Sequence, residues 1–240
     1  MLSIETKNLS KKYKEKTAVN GIELKINEGE LFALLGTNGA GKTTTIKMLS
    51  TLILPTDGEI KINGLDIIKD RQKIKEILNV SPQETAIAPN LSVKENLEFM
   101  AGVYQISNKE EKINKLVKLF KLEEVLKQKA KTLSGGWQRK VSIAIALINE
   151  PKILFLDEPT LGLDVIARKE LWKIIKNLKG KITIILTTHY MEEAESLSDR
   201  IGIMSKGNLV DVGTAEELIK RTGTKNFEDA FVKIATGGEL

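Results

Sequence analysis

The stretch GTNGAGKTT, residues 36–44, decides the fold. It follows the apolar run LFALL at 31–35 and precedes TIKML at 45–49, so a buried strand leads through a glycine-rich turn into a helix. The spacing G-x-x-x-x-G-K-[ST] is that of a P-loop, whose backbone N–H groups form a nest for phosphate oxygens. The stretch therefore predicts an α/β fold that binds a nucleoside triphosphate.

Each position of this loop has a chemical role to fill. The glycines permit close approach of the backbone to phosphate, and a helix that starts near Lys42 adds unpaired N–H groups and partial positive charge. Lys42 can reach the β- and γ-phosphates, and the Thr43 hydroxyl can bind Mg²⁺. The candidate nucleotide-binding residues here are Gly36, Thr37, Asn38, Gly39, Ala40, Gly41, Lys42, Thr43 and Thr44.

Composition limits the class of protein. The 240 residues suffice for one large domain or for a domain with an inserted lobe. The chain has no Cys, which excludes disulfides, thiolate metal sites and Cys nucleophiles. The net charge of +5 comes with Lys and Glu alternating at 109–121, the pattern of a solvated helix face, so we expect no nucleic acid partner. The longest apolar run, 141–148, is too short to span a membrane, and the N-terminus lacks a secretion signal, so we expect a cytoplasmic location.

The N-terminal third is predicted to be rich in strands. Residues 3–9 and 17–26 have strand patterns, and Tyr13 is expected on the loop between them, where it can either stack on a base or pack against its neighbours. A strand at 77–80 is followed by Ser-Pro and then Gln83. The amide oxygen of Gln83 can hold Mg²⁺ or the attacking water, although an isolated Gln in a loop is usually polar surface.

From residue 91 to residue 148 the pattern becomes helical. The sequence SVKE at 92–95 is a capping box, and the apolar stripes that follow predict a helical lobe inserted into the α/β core. Within it, LSGG at 133–136 precedes a helix that ends near Asn149. This is either an ordinary helix start capped by Ser134 or half of a second nucleotide site completed by another subunit, and the spacing alone favours the ordinary cap.

The run ILFLDE at 153–158 is a buried strand that ends in two carboxylates, the Walker B pattern. Asp157 is placed to hold Mg²⁺, and Glu158 is placed to face the attacking water as general base. The strand at 182–186 delivers His189, the one His of the chain, beside the Asp157 strand. Its position leaves a structural role and a contact with the γ-phosphate both open.

Together these motifs resemble the nucleotide-binding subunit of an ABC transporter. The ordered set is Tyr13, GTNGAGKTT at 36–44, Gln83, LSGG at 133–136, ILFLDE at 153–158, GLD at 162–164 and His189. The segments LSVKENLEFMAGVY and NFEDAFVKIATG are similar to the drug- and ion-efflux type, whose membrane part is a separate polypeptide.

The resemblance implies roles for the positions left open. Tyr13 becomes the residue that stacks on adenine, Gln83 a lid residue that binds Mg²⁺, and His189 a switch at the γ-phosphate. The resemblance also implies that Glu158, His189 and Lys42 are catalytic and that Thr43, Gln83 and Asp157 bind the metal. Ser134, Gly135 and Gly136 would close over ATP bound to the opposite subunit, with Asp164 across that interface. ATP and Mg²⁺ are the implied ligands.

Two positions depart from the family pattern. Trp137 stands where the signature usually continues with Gln, and Gln138 follows it. Val165 stands where many relatives carry Pro. Since the phosphate contacts come from Ser and Gly, we expect activity to survive, while Trp137 puts the local helix start and a partner contact in question.

The resemblance implies a P-loop NTPase core with a mostly parallel sheet, an antiparallel β subdomain and an inserted α-helical subdomain. We expect one ATPase domain over 1–240. Its parts are the α/β core at 1–90 and 150–215, the helical signature subdomain at 91–149, and a helical tail at 216–240.

The implied function is ATP hydrolysis by one of two paired nucleotide-binding subunits, identical or different. This drives transport, with export expected, through a separate transmembrane permease, from a peripheral position on the cytoplasmic face of the membrane. The alternative is a soluble ABC-type ATPase that powers a non-transport assembly or remodels nucleic acid. The long coiled coil or second cassette of such relatives does not occur in this sequence, and a nucleotide kinase would leave LSGG and Asp157-Glu158 unused.

Overall fold

The computed structural model of the chain describes residues 1–238, in which the strands form two sheets. The strands are β1 Leu2–Tyr13, β2 Lys16–Asn27, β3 Leu31–Leu35, β4 Asp57–Ile62, β5 Leu65–Asp66, β6 Leu78–Ser81, β7 Ile153–Asp157, β8 Thr183–Thr188, β9 Arg200–Ser205 and β10 Asn208–Gly213. The α-helices are α1 Lys42–Leu49, α2 Arg71–Ile77, α3 Val93–Val103, α4 Lys109–Phe120, α5 Gly135–Ala146, α6 Val165–Leu178, α7 Met191–Leu197, α8 Ala215–Thr222 and α9 Phe227–Thr236. Short 3-10 turns lie at Glu123–Val125 and Ala130–Thr132.

The larger sheet carries the nucleotide motifs. Its strand order is β10-β9-β3-β8-β7-β6, and the pairs are parallel except for β9 with β10. Leu35 pairs with Thr188, and Asp157 pairs with Thr187, so the carboxyl ends of β3, β7 and β8 meet at one edge. Ligands bind at this edge of parallel sheets, and the predicted mostly parallel P-loop core is confirmed.

The smaller sheet is antiparallel, with the order β2-β1-β4-β5. The predicted strands at 3–9 and 17–26 are present but longer, and the expectation that Tyr13 lies on a loop is wrong. Tyr13 is the last residue of β1 and pairs with Lys16. The hairpin continues through polar residues because main-chain hydrogen bonds between strands need no apolar side chain.

The β3 strand contributes side chains to two separate hydrophobic cores, one on each face of the larger sheet. All five of its residues are buried, because both faces of the sheet are covered. Leu31, Ala33 and Leu35 face the cluster that includes helices α3 to α6, whereas Phe32 and Leu34 face the cluster of the antiparallel sheet and α1. This alternation follows from the two-residue period of a strand.

The stretch between β6 and β7 is helical, as its sequence pattern predicts. The Ser92 side chain accepts from the Glu95 N–H and the Glu95 carboxylate accepts from the Ser92 N–H, so the capping box is present. Tyr104 is the C-cap residue of α3 and is 37% exposed, and its hydroxyl accepts from Asn79. Within residues 1–238, none of the helices is both long and apolar enough to cross a membrane.

Candidate functional site

The P-loop lines a cavity of about 450 Å³ at the carboxyl edge of the larger sheet. Gly41, just before α1, has a φ of 104°, and a Cβ there would lie 2.5 Å from the carbonyl oxygen of Ala18. The turn therefore requires glycine at this position. Asn38 to Thr44 line the cavity together with Gln83, Glu158 and His189, so the structure brings together motifs from four separate parts of the chain.

Three polar side chains, Lys42, Glu158 and His189, contact one another in the lining of this cavity. The Lys42 ammonium is buried, donates to the carbonyls of Gly36 at 2.7 Å and Thr37 at 3.2 Å, and lies 3.3 Å from Glu158 Oε1. The other oxygen, Glu158 Oε2, lies 2.9 Å from Nδ1 of His189. One carboxylate therefore lies between the P-loop cation and the imidazole, and all three groups line the same cavity.

The backbone at Glu158 fixes that carboxylate. Strand β7 ends at Asp157, and Glu158 adopts a left-handed conformation with φ 48°, which is uncommon outside glycine. Its N–H donates to Thr187 Oγ1 at 3.0 Å and to the Thr187 carbonyl at 3.2 Å, so β8 holds the residue in place. A general base must be positioned in this way to act on a bound water.

Asp157 and Thr43 provide oxygen atoms suited to a hard cation. Thr43 Oγ1 lies 3.1 Å from Asp157 Oδ1, which also accepts from the Thr187 hydroxyl at 2.5 Å. Mg²⁺ is usually bound through one or two carboxylates plus substrate phosphates rather than by a complete protein cage. Accordingly, residues 1–238 contain no preassembled cluster of three acidic or His ligands, and the donor set present fits Mg²⁺. Sequence reasoning overlooked Thr187, although it belongs to the Thr-Thr-His strand end.

Tyr13 does not line the P-loop cavity. Its ring is 47% exposed, and the ammonium of Lys11 lies 5.3 Å from the ring centroid. Lys16 and Ala18 on β2 line the cavity instead. The sequence analysis did not predict Lys16 or Ala18 as site residues. Lys16 pairs with Tyr13 across the hairpin, which places Tyr13 next to a residue that lines the cavity. Stacking of Tyr13 on adenine stays a prediction.

The LSGG residues lie outside this cavity. Ser134 occupies the N-cap position of α5, but its side chain makes no capping hydrogen bond. A Cβ on Gly136 would lie 3.1 Å from the Cβ of Ala167, so the start of α5 packs tightly against the start of α6. Gln138 donates its amide to the carbonyls of Ala130 at 3.2 Å and Leu133 at 3.1 Å, which shapes the loop before the helix.

Trp137 leaves the helix start intact. Helix α5 begins at Gly135 as in the sequence pattern, and the Lys140 ammonium lies 4.4 Å from the centroid of a Trp137 ring. The same ammonium is 2.7 Å from the carboxylate of Glu170 on α6. The Trp137 ring therefore lies against the cation that joins α5 to α6.

Asp164 caps the helix that follows GLD. Its carboxylate accepts from the N–H groups of Ile166 at 2.9 Å and Ala167 at 3.0 Å. Those backbone hydrogen bonds, with Ala167 first, lower the pKa of Asp164. The residue is exposed, so its carboxylate is accessible from solvent while it holds the start of α6.

Glu193 is a buried acid next to the site that sequence reasoning missed. It lies on α7 with its side chain inside the protein, where Oε1 accepts from the Trp172 indole at 2.9 Å. Burial raises the pKa of Glu193, and the neighbouring charge of Glu158 adds to the effect. The run MEEAE resembles a solvated face, and only the alignment of Glu193 with the buried residues Ala194 and Leu197 on this helix indicates its burial.

Comparison with known proteins gives concordant results. The ABC transporter family model matches residues 19–161. The linearmycin resistance ATP-binding protein LnrL of Bacillus subtilis is 38% identical over 238 residues, which cover 98% of this chain and 75% of LnrL. This chain spans only 13% of the length of the human phospholipid-transporting ATPase ABCA3 and 41% of the length of the probable multidrug ABC transporter ATP-binding protein YbhF of Escherichia coli.

Solved structures agree with the sequence matches. The ATP-binding subunit of an ABC transporter superposes with a TM-score of 0.86 at 30% identity, covering 98% of this chain and 99% of that one. A dimeric ATP-binding cassette in a post-hydrolysis state with ADP and phosphate superposes with a TM-score of 0.79 at 28% identity, covering 88% of this chain and 98% of that one. This chain therefore belongs to the ABC transporter family, as an ATP-binding domain of the ABC ATPase type.

Proposed function

We propose that the chain is the ATP-hydrolysing subunit of an ABC transporter and that it pairs head to tail with a second nucleotide-binding subunit. The two subunits enclose two Mg-ATP molecules, each between the P-loop of one subunit and the LSGG residues of the other. Closing and opening of this pair drives transport through a separate membrane permease. The proposed single domain spans 1–240, with the core at 1–90 and 150–215, the signature subdomain at 91–149 and the tail at 216–240, of which residues 239 and 240 lie outside the part of the chain that the structure describes.

The position of the LSGG residues carries this proposal. Ser134 to Gly136 do not line the cavity of their own P-loop, so within one chain they have no phosphate to bind. They lie beside the start of α6, where Val165 and Ile166 are 56% and 74% exposed. Exposed apolar side chains beside free helix N–H groups suit a protein interface that closes over an anion. The solved relative with ADP and phosphate is itself a dimer.

The chemistry follows from the cluster at the cavity floor. The P-loop N–H groups and Lys42 bind the phosphates of ATP and stabilise the charge that develops on the γ-phosphate. Glu158 accepts a proton from water that attacks this phosphate in line, and His189, 2.9 Å from Glu158, contacts the γ-phosphate from the other side. Tyr13 stacks on the adenine, and Asp164 of each subunit faces the partner across the interface.

Thr43 and Asp157 would hold Mg²⁺, with Gln83 as a further oxygen ligand. When bound, the ion neutralises phosphate charge. The protein's part is to orient the Asp157 carboxylate, which the hydroxyls of Thr43 and Thr187 support from 3.1 and 2.5 Å.

Exposed apolar residues near α2 and on α3 support the proposal that a membrane permease docks on this chain. Leu52, after α1, and Ile68, shortly before α2, are 59% and 66% exposed. Phe99 and Val103 are 60% and 57% exposed on α3. Such side chains suit docking of a permease helix near Gln83 and the helical subdomain. Export is proposed because LnrL is named as a linearmycin resistance protein. The proposed location is the cytoplasmic face of the membrane.

ATP hydrolysis by the purified chain tests the proposal. Glu158→Gln should lower kcat by about 10²–10⁴-fold, the contribution of a general base, with little change in ATP binding. Near-normal activity of this variant would show that the base is another group. Co-purification of the tagged chain with a membrane protein would support the transporter, whereas a soluble or nucleic acid partner alone would favour the alternative ABC-type ATPase.

A further inference from the structure

Arg139 is a buried cation on the signature helix. The residue is 5% exposed and lies one turn after Gly136 on α5. Its Nη1 donates to the carbonyl of Pro82 at 2.7 Å, and its Nη2 donates to the carbonyl of Gln83. Burial lowers the pKa of Arg139, and the charge of Asp157 acts in the opposite direction.

A buried guanidinium is normally satisfied by a carboxylate, since an unpaired buried charge is costly. Here two consecutive main-chain carbonyls replace that partner, and both belong to the loop that carries Gln83. The planar fork of Arg fits two acceptors at once. Any displacement of this loop relative to α5 would leave the charge without its acceptors.

A second contact joins the same two segments. Ser142, one turn further along α5, lies with its hydroxyl 3.2 Å from that of Ser81, directly before Pro82. Both hydroxyls are buried. Residues three apart on a helix share a face, so Arg139 and Ser142 present one polar edge of α5 to the end of β6 and the loop.

We propose that Arg139 is a positioning residue that locks the Gln83 loop to the signature helix, so that Gln83 and the LSGG residues take up their positions as one unit. The inference rests on the role of Gln83 as a Mg²⁺ ligand in the proposed function and extends it. Arg139 itself does not line the P-loop cavity. It acts by fixing the main chain from which the Gln83 amide projects toward the P-loop cavity.

Hydrogen exchange of the full chain without nucleotide tests the lock directly. Arg139→Met should raise the exchange rate of the loop amides at 83–88 about tenfold, because two charge-assisted hydrogen bonds are lost. Lys140→Met is the matched control, since that cation pairs with Glu170 and not with the loop, and it should leave exchange at 83–88 unchanged. Equal exchange in Arg139→Met and the unchanged protein would overturn the inference. If Arg139→Met does not fold, Arg139→Lys replaces it, because Lys keeps the charge but lacks the planar fork of Arg. Arg139→Lys should still accelerate exchange at 83–88, and unchanged exchange there would also overturn the inference.

A double-mutant cycle tests whether Arg139 acts through Gln83. The quantity is the Mg²⁺ concentration at half-maximal binding of a fluorescent ATP analogue, with unfolding midpoints measured alongside. Arg139→Met and Gln83→Ala should each raise it severalfold, and the double variant should equal Gln83→Ala alone. If the increase in this Mg²⁺ concentration in the double variant were the product of the two single increases, Arg139 would act independently of Gln83. That result would overturn the inference while leaving the role of Gln83 in place. No effect of Gln83→Ala would overturn both.

Discussion

The buried pair of Lys42 and Glu158 should be detectable as a coupling energy in the free energy of unfolding. The two side chains are 6% and 8% exposed and 3.3 Å apart, so solvent screens them little. Breaking a buried pair by removing one partner costs about 3–5 kcal/mol. Because His189 remains 2.9 Å from Glu158, we expect Lys42→Met to cost about 3 kcal/mol, near the low end.

Removing the acidic partner instead should lower the free energy of unfolding by less. In Glu158→Gln the Lys42 ammonium keeps the carbonyls of Gly36 and Thr37 at 2.7 and 3.2 Å, so we expect about 2 kcal/mol. With both changes no uncompensated charge is left between these two positions. The double variant should therefore cost about 2 kcal/mol less than the two single costs added together, within the range known for contacting residues.

Urea unfolding without nucleotide, followed by the fluorescence of the two Trp residues, measures all four proteins. Lys179 and Asp199 provide a matched control, because this pair is 2.7 Å apart but 37% and 40% exposed. Its coupling should stay below about 1 kcal/mol. Additivity of the Lys42 and Glu158 effects to within about 0.5 kcal/mol would refute the reasoning, because it would mean that solvent screens the pair.

Three other changes have defined outcomes. Burial raises the pKa of Glu193, so as pH rises the unfolded chain loses this proton before the folded one does, and the free energy of unfolding should fall between the ordinary glutamate pKa and the raised value. Urea unfolding at several pH values should show this fall in the wild type but not in Glu193→Gln. Parallel pH curves for the two proteins would contradict the prediction. Gly136→Val should cost about 1–3 kcal/mol, because even a Cβ would lie 3.1 Å from that of Ala167, and an unchanged unfolding free energy would mean that α5 and α6 separate freely. Thr43→Val should raise the Mg²⁺ requirement for ATP binding while metal-free nucleotide binding stays constant; an unchanged requirement would remove Thr43 from the proposed ligands.

The sequence was sufficient to predict the core of the fold because its strongest signals are local. An apolar run followed by GTNGAGKTT specifies a strand, a nest and a helix within 20 residues, and β3, the P-loop and α1 have these positions. The strand ending in Asp157 was equally clear, since no polar residue interrupts it until the ligand edge. Both predictions depend on neighbours in sequence.

Contacts between distant segments were not predictable in the same way. Nothing near Arg139 in the sequence indicates that its guanidinium reaches carbonyls 56 and 57 residues earlier. Glu193 has the composition of a solvated face, and only packing against Trp172 makes it a buried acid. Tyr13 was misplaced because the hairpin is held by main-chain pairing, which side-chain patterns do not reveal.

Size-exclusion chromatography with light scattering on Glu158→Gln, with and without Mg-ATP, tests whether ATP joins two subunits. We expect a monomer without nucleotide and a dimer with Mg-ATP, because slow hydrolysis retains the ATP that joins P-loop and LSGG. Adding Ser134→Arg should keep the protein monomeric while it still binds ATP. A mass that stays monomeric although ATP is bound would contradict pairing of two identical copies around ATP, and it would leave a different nucleotide-binding subunit as the partner.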